Sequence, residues 1–422
     1  RAGLKAVKQP RQHPGLRQTV AQALSHNRDL RVAVLNIDRA RAQYGITSAA
    51  QLPTVAAAGQ GSRSRTAADL SSAGVSSVSS QYTAQLAITS FELDLWGRVR
   101  NLNEAALQQF LQSEVNQQSV RITLVADVTN AWLNLAADQA RLKLAQDTLA
   151  GREKAYQLTE RIHALGATSG LVLAQNRSTV ETARGDVAAF TAQVAKDRNA
   201  LDLLVGSGLN PDWLPTADTL RGEPAQAPAA LLVLPAELPS SLLLARPDVR
   251  ASEYNLRALS ANVAAARAAL FPTISLTTSV GTGSRELDNL FASGNGTWSF
   301  VPQIRWPIFD GGSARAAVDV AQANREIAVN QYEKAIQTAF REASDALAER
   351  TQWQARLDAQ EAVVAANAQA FELSEARFTA GVDNYLTVLD AQRSLYAAQQ
   401  VLIALRLSEQ ANRIALWKVL GG

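Results

Sequence analysis

The chain has 422 residues, enough for two or three ordinary domains, and its 41 Lys and Arg residues exceed its 38 Asp and Glu residues by only three. Such a small net charge, with no basic cluster interleaved with aromatic residues, argues against a nucleic-acid-binding protein. Cysteine is absent, and no apolar run is long enough for a transmembrane helix.

The first half of the chain is predicted to contain one helix, two strands and two further helices. Residues 18–50 are rich in Ala, Arg, Leu and Gln, which favour a helix. Strands are expected at about 54–65 and 80–95. Long helices are expected at 98–165 and 171–205, and the first of them would be about 100 Å long at 1.5 Å per residue.

A linker and a second half with the same pattern are predicted to follow. Seven prolines fall between Pro211 and Pro247, so residues 211–247 are expected to form a linker in an equatorial region. Residues 248–422 form the second half. Its predicted strands lie at about 272–282 and 297–307, and its predicted helices at 313–380 and 386–420.

The two halves, 1–210 and 248–422, are predicted to be structural repeats. The segment from Asn27 to Arg31 (NRDLR) aligns with the segment from Arg246 to Arg250 (RPDVR), and Gly166 aligns with Gly381. Repeated sequence units form similar supersecondary structures. Each half is therefore expected to place the same elements in the same order.

Apolar residues recur at every seventh position along the four long helices. This spacing brings them to one seam and predicts antiparallel, supercoiled helix pairs. The seam residues in the first half are Val128, Leu135, Leu142, Leu149, Tyr156, Leu173, Val180, Val187, Val194 and Leu201. In the second half they are Leu357, Val364, Phe371, Phe378, Val388, Leu395, Leu402 and Leu416.

The predicted strands alternate apolar and polar residues, so each has one apolar face. Leu86 and Ile88 alternate with Gln85 and Thr89, for example. The apolar face is expected either to pack on a second sheet or to contact lipid. Four strands cannot close a membrane barrel, so the lipid alternative requires several copies; three copies would supply twelve strands.

Several motifs resemble the TolC-like outer-membrane factors over nearly the whole chain. They are FELDLWGR at 91–98, LLLARPD at 242–248, AAARAALFPTISL at 264–276 and YEKAIQTAF at 332–340. The run GVDNYLTVLDAQRS at 381–394 is similar to the OprM-type branch, which serves tripartite drug-efflux pumps.

This resemblance implies a mainly α-helical homotrimer with a coiled-coil α-barrel and a membrane β-barrel of twelve strands. The barrel would lie in the bacterial outer membrane, in contact with its lipid, and the helices would extend into the periplasm. The implied partners are a periplasmic adaptor protein and an inner-membrane transporter of the RND type. Members of the branch usually carry an acylated amino-terminal Cys; here such an anchor would lie upstream of Arg1.

The resemblance also assigns two sets of site residues. Gly166 and Gly381 would end the long helices at the periplasmic tip. The adaptor-contacting residues would be Gly166, Ala167, Thr168, Gly381 and Val382. The residues that close the channel at the periplasmic gate would be Leu386, Asp390, Arg393 and Asp383.

No enzymatic site is predicted. His13, His26 and His163 are scattered, no His/Asp/Glu set has metal-ligand spacing, and neither a phosphate-binding loop nor a nucleophile elbow is present. No cofactor is expected. The function predicted is a passive exit duct for drug efflux. The alternatives are an outer-membrane channel for protein secretion and, in a different class, a water-soluble helical scaffold.

Overall fold

The computed structural model describes residues 13–72, 74–221 and 240–422. Its helices are α1 (Pro14–His26), α2 (Arg28–Ala49), α3 (Arg98–Ala164), α4 (Gly170–Val205), α5 (Ser240–Leu244), α6 (Pro247–Ala268), α7 (Ser313–Thr379) and α8 (Tyr385–Val419). Its strands are β1 (Val55–Thr66), β2 (Ser77–Glu92), β3 (Thr273–Ser284) and β4 (Gly296–Arg305). The described residues also include single 3-10 turns at Ala68–Leu70, Pro211–Trp213 and Thr219–Arg221. The predominantly helical fold with four strands is as predicted.

The helix predicted at 18–50 is divided into α1 and α2 at Asn27. Asn27 has an extended backbone, with φ −60° and ψ 132°. Its side-chain oxygen accepts a hydrogen bond from the backbone N–H of Leu30 (2.9 Å), and its Nδ2 donates to the carbonyl of Leu204 (2.8 Å). The side chain therefore caps the start of α2 and fixes the break against the end of α4.

The four strands form one antiparallel sheet in the order β1-β2-β3-β4. Residues paired across such a sheet point to the same face. The row Ala57, Leu86, Val280 and Trp298 is apolar throughout, and these residues are paired from strand to strand. On the other face Ser279 pairs with Ser299, and their hydroxyls hydrogen-bond at 2.7 Å. The predicted alternation thus combines into one mainly apolar face, interrupted by Thr278 and Thr282.

A β-bulge near the end of β2 keeps this face apolar. Ile88 pairs with Thr278, but Phe91 pairs with Leu276, so β2 contains one extra residue in this interval. Ser90 lies within it and has a positive φ of 52°. Because side chains alternate between faces, the extra residue places Phe91 on the same face as Leu276.

The long helices pair as antiparallel hairpins. Asn176 Nδ2 of α4 donates to Thr159 Oγ1 of α3 (3.0 Å), and Arg152 of α3 donates to the carbonyl of Thr179 (3.0 Å). In the second hairpin Gln360 of α7 donates to the carbonyl of Ala398 of α8 (2.9 Å). Every predicted seam residue is buried or half-buried. The heptad pattern therefore identified the packed face of each long helix correctly.

The chain divides by its internal contacts into two units. The first comprises residues 1–35, 115–250 and 334–422, and the second comprises residues 36–114 and 251–333. The core of the first unit surrounds Trp132, which is 1% exposed and donates from its indole N–H to the carbonyl of Trp213 (2.9 Å). The second unit holds the sheet and a small alanine cluster, Ala105, Ala258 and Ala261.

The predicted linker at 211–247 lies only partly within the described residues, because residues 222–239 are outside them. Its described parts contain two 3-10 turns, α5 and the first residue of α6. Pro247 begins α6, where a backbone N–H would have no acceptor within the helix, so its absence in proline removes no hydrogen bond. The division of the chain into two repeats with this linker remains a prediction.

Candidate functional site

The predicted tip residues lie in two turns of identical construction. Between α3 and α4, the N–H of Gly166 donates to the carbonyl of His163 (2.8 Å), and the N–H of Ala167 donates to that of Ile162 (3.1 Å). The same two hydrogen bonds end α7, from Gly381 to Phe378 (2.9 Å) and from Val382 to Arg377 (2.9 Å). Both are Schellman motifs, which need a left-handed residue that glycine adopts without steric cost. Gly166 and Gly381 have φ of 73° and 75°.

Side-chain caps begin the returning helices. Ser169 accepts from the N–H of Val172 at the start of α4 (3.4 Å), and Asn384 accepts from the N–H of Thr387 at the start of α8 (3.3 Å). In the first turn His163 Nδ1 contacts the carbonyl of Thr168 (2.9 Å). The glycine stop and the polar cap together fix a tight, well-defined turn in each hairpin.

Apolar side chains are exposed at both turns. Leu165 is 83% exposed, Leu171 67% and Val382 63%. Of these only Val382 was predicted as a tip contact. Leu165 and Leu171 flank the predicted residues Gly166 to Thr168 and extend the same surface. These three residues, with Ala167 and Thr168, are called the tip surface below.

Asp383 pairs with Arg377 across the second turn. The Arg377 Nε to Asp383 Oδ2 distance is 2.6 Å, and the second contact, Nη2 to Oδ1, is 3.1 Å. These hydrogen bonds lower the pKa of Asp383 and raise that of Arg377. The pair therefore stays ionised and links the last turn of α7 to the turn that follows it. Arg377 was missed by sequence reasoning, because a six-residue spacing across a turn is no local helix pattern.

The other predicted gate residues lie on the first turns of α8. Asp390 Oδ1 is 3.5 Å from Arg393 Nη2, the contact expected from their spacing of three residues. Both side chains are mostly exposed, at 72% and 60%, and Leu386 is 41% exposed. An exposed pair of this kind contributes little stability, so neither group is needed to hold the hairpin together.

A partly buried polar link joins the two hairpins within the first unit. The Tyr396 hydroxyl of α8 donates to Asp186 Oδ2 of α4 (3.1 Å). The Arg152 guanidinium of α3 lies 5.6 Å from the centroid of the Tyr396 ring, a cation–π distance. Burial raises the pKa of Tyr396 to about 12, and the Asp186 carboxylate adds to this effect. The hydroxyl therefore remains a donor at neutral pH. We call Arg152, Asp186 and Tyr396 the hairpin link.

A second contact between the hairpins lies at the start of α8. Asn176, which is 1% exposed, hydrogen-bonds to Thr159 and also contacts the hydroxyl of Tyr385. The Tyr385 ring packs edge-on against Phe378, with centroids 5.0 Å apart. Tyr385, which precedes Leu386, is thus held to α4 of the first hairpin through Asn176.

Neither metal chemistry nor a helical membrane span is found in the part of the chain that the structure describes. No group of three or more His, Cys, Asp or Glu side chains there is arranged to hold a metal ion. None of the described helices is both long and apolar enough to cross a membrane.

Comparison with known proteins identifies the family. A family model described as outer membrane efflux protein matches residues 19–207 and 238–422. The chain belongs to this family. The efflux proteins are channels rather than enzymes, which confirms the prediction of a non-enzymatic protein.

Individual relatives agree over almost the whole chain. The toluene efflux pump outer membrane protein TtgC of Pseudomonas putida is 46% identical over 409 residues, which are 97% of this chain and 83% of TtgC. The outer membrane protein OprJ of Pseudomonas aeruginosa is 42% identical over 407 residues, 96% of this chain and 84% of OprJ.

A solved structure supports the same conclusion. The open state of the Neisseria gonorrhoeae MtrE outer membrane channel has a TM-score of 0.85 and 38% identity, covering 97% of this chain and 89% of that one. The efflux protein described here is thus an outer-membrane efflux channel by family and by fold. This excludes the water-soluble scaffold, and it confirms the resemblance drawn from the motifs.

Proposed function

We propose that this chain forms, as a homotrimer, the exit duct of a tripartite multidrug efflux pump. The duct is passive and works with a periplasmic adaptor and an inner-membrane transporter of the RND type. The transporter selects the cargo, and the energy is supplied elsewhere in the pump. Relatives named as outer membrane proteins of toluene and antibiotic efflux pumps support the assignment to a pump.

The observation that carries the proposal is the sheet, which is apolar on one face and open at both edges. β1 and β4 each have only one partner among the described strands. Unpaired backbone groups are not tolerated in hydrocarbon, so the edges must pair with other copies. Because adjacent strands alternate in direction and their number is even, β4 of one copy would run antiparallel to β1 of the next. Three copies then close a ring of twelve strands.

Exposed apolar residues on α2 and α7 support the same assembly. Ile46 of α2 is 66% exposed, and Val320 and Ile327 of α7, which are seven residues apart, are 60% and 54% exposed. Spacing of seven is that of a coiled-coil seam. α2 leads into β1 and α7 follows β4, so these faces would meet across the same boundary between copies.

The gate would be formed by three copies of Leu386 and Asp390. A three-fold repeat of one aspartate places like charges close together in a narrow pore, which favours cations and resists closure. The pairing of each Asp390 with Arg393 offsets that repulsion. Opening requires the tip helices to move apart, biased by the adaptor bound at the tip surface. The hairpin link opposes this motion.

Complementation of a strain from which the gene has been deleted tests the proposal. Ala167→Arg and Val382→Arg place bulky charges on the tip surface and should abolish resistance while leaving trimers intact on unboiled gels. Ala188→Arg, on an exposed position of α4 outside the turns, is the matched control and should complement. Full resistance with both tip variants would refute the adaptor assignment, and single copies in detergent would refute the trimer.

A further inference from the structure

A cavity of about 380 Å³ lies in the second unit, where the sheet meets its helices. Its walls are apolar on one side, with Val263 and the rings of Trp96 and Phe271, which stack with centroids 4.9 Å apart. Its polar lining residues are Asn101, Ser260, Arg267 and Arg325. No Asp or Glu is among the described residues that line it. A site with apolar walls and two arginine side chains fits an amphiphile with an anionic group.

The cavity is positioned by the end of the sheet. Trp96 and Trp306 lie just beyond β2 and β4, and both are more than 45% exposed. Their indole N–H groups donate to the turn between α6 and β3, Trp96 to the carbonyl of Pro272 (2.8 Å) and Trp306 to that of Leu270 (3.3 Å). Tryptophans anchored at the end of an apolar strand face mark the level of lipid head groups. Since Trp96 also lines the cavity, the cavity lies at that level.

The two arginines differ in whether their charges are already paired with a described residue. Arg325 is already ion-paired with Glu326, and a neighbouring cavity that both arginines line also contains Asp319. The Arg267 side chain has no hydrogen bond or ion pair with any residue that the structure describes. Arg267 is therefore the group whose charge an incoming anion would satisfy, and its planar fork suits a phosphate.

We infer that this cavity binds the phosphate head group of a glycerophospholipid from the periplasmic leaflet, with Arg267 as the principal contact and Trp96 and Phe271 against the glycerol and first methylenes. Binding would fix the depth of the sheet in the membrane. The site differs from both the tip surface and the gate, and it depends only on the outer-membrane location of the chain.

Native mass spectrometry of the detergent-purified full chain tests this inference, with dioleoyl phosphatidylglycerol as the probe and dioleoylglycerol as its uncharged counterpart. Phosphatidylglycerol should remain bound and dioleoylglycerol should not. Arg267→Gln should weaken retention by about tenfold or more, the usual effect of losing a charged hydrogen bond. Arg267→Lys, which keeps the charge, should retain most of it.

Arg257→Gln is the matched control. Arg257 lies on the same helix and is ion-paired with Glu253 (2.5 Å), outside the cavity. It should retain phosphatidylglycerol as the parent chain does. Equal retention by the Gln variants at 257 and 267, or equal retention of the charged and uncharged lipids, would overturn the inference. If a second copy of the chain occludes the cavity, neither the parent chain nor any variant should retain lipid. That outcome would also overturn the inference.

Discussion

The hairpin link predicts how strongly one hydroxyl group holds the channel closed. Tyr396→Phe removes the hydrogen bond to Asp186 but keeps the ring against Arg152. A hydrogen bond to a charged group contributes about 1.5–3 kcal/mol, and this pair is only partly buried, so we take about 1 kcal/mol for each copy. That amounts to about fivefold in the ratio of closed to open forms.

In the proposed trimer three links would have to break together. The effects then multiply, and the open fraction of the Phe variant should rise by about a hundredfold. Single-channel recording in planar bilayers measures this fraction directly. Asp186→Asn should have a smaller effect, because its amide oxygen can still accept from Tyr396. The double variant should resemble Tyr396→Phe alone, since the two residues act through one contact.

Two controls accompany this experiment: a pH series on the parent channel and the removal of a different tyrosine hydroxyl. With the pKa of Tyr396 raised to about 12, the parent channel should stay closed as the pH rises from 7 to about 10. Tyr156→Phe removes a hydroxyl that forms no hydrogen bond to a described residue, and it should leave conductance unchanged. An unaltered open fraction in Tyr396→Phe, or the same increase in Tyr156→Phe, would refute the reasoning.

Three further predictions concern stability and assembly. Arg246 is 8% exposed and bonded to both Asp248 (2.7 Å) and Glu342 (2.8 Å), whose side chains are 45% and 38% exposed. Because water can solvate both carboxylates, Arg246→Ala should destabilise the chain by about 1–3 kcal/mol in denaturant titrations, and an unchanged stability would contradict a stabilising role of the pairing. A Cβ on Gly281 would lie 2.3 Å from the carbonyl oxygen of Ala84, so Gly281→Ala should reduce the yield of trimers on unboiled gels. Gly283→Ala is the control and should not reduce it, because its Cβ would lie 3.6 Å from the nearest neighbour. Equal trimer yields from the two variants would exclude a close approach of the strands at Gly281. Burial, and the hydrogen bond that protonated Asp197 donates to Asp138, raise the pKa of Asp197 to about 6. The folded chain therefore binds this proton more tightly than the unfolded chain, and it loses stability as the pH rises from about 4 to 6. The melting temperature of Asp197→Asn should fall less over that range than that of the parent, and parallel curves would contradict the assignment.

Much of the fold could be predicted because its determinants are periodic. Heptad spacing in the long helices and alternation in the strands are repeated many times, so the packed face of each long helix and the apolar face of the sheet were identified from sequence. The break at Asn27 could not be found in this way. A single asparagine in a helical composition gives a weak signal, and here its side chain is fixed by a carbonyl 177 residues away.

The candidate site was less accessible to sequence reasoning. The glycines of the two turns were found because a left-handed stop strongly favours that residue. The link between Asp186 and Tyr396 spans 210 residues, and the pairing of Arg377 with Asp383 crosses a turn. Such contacts follow from how hairpins meet, and no local spacing encodes them.

The central claim is that lipid covers the apolar face of the sheet while water contacts the other. The chain has no cysteine, so a single introduced cysteine can carry a fluorophore at a chosen position. Val280→Cys labels the apolar face, and Ser279→Cys labels the face of the paired serines. In liposomes, nitroxide-bearing lipids should quench the label at 280 and a water-soluble nickel chelate the label at 279. Protection of both labels from both quenchers would show that a second sheet covers this face, and would contradict the account.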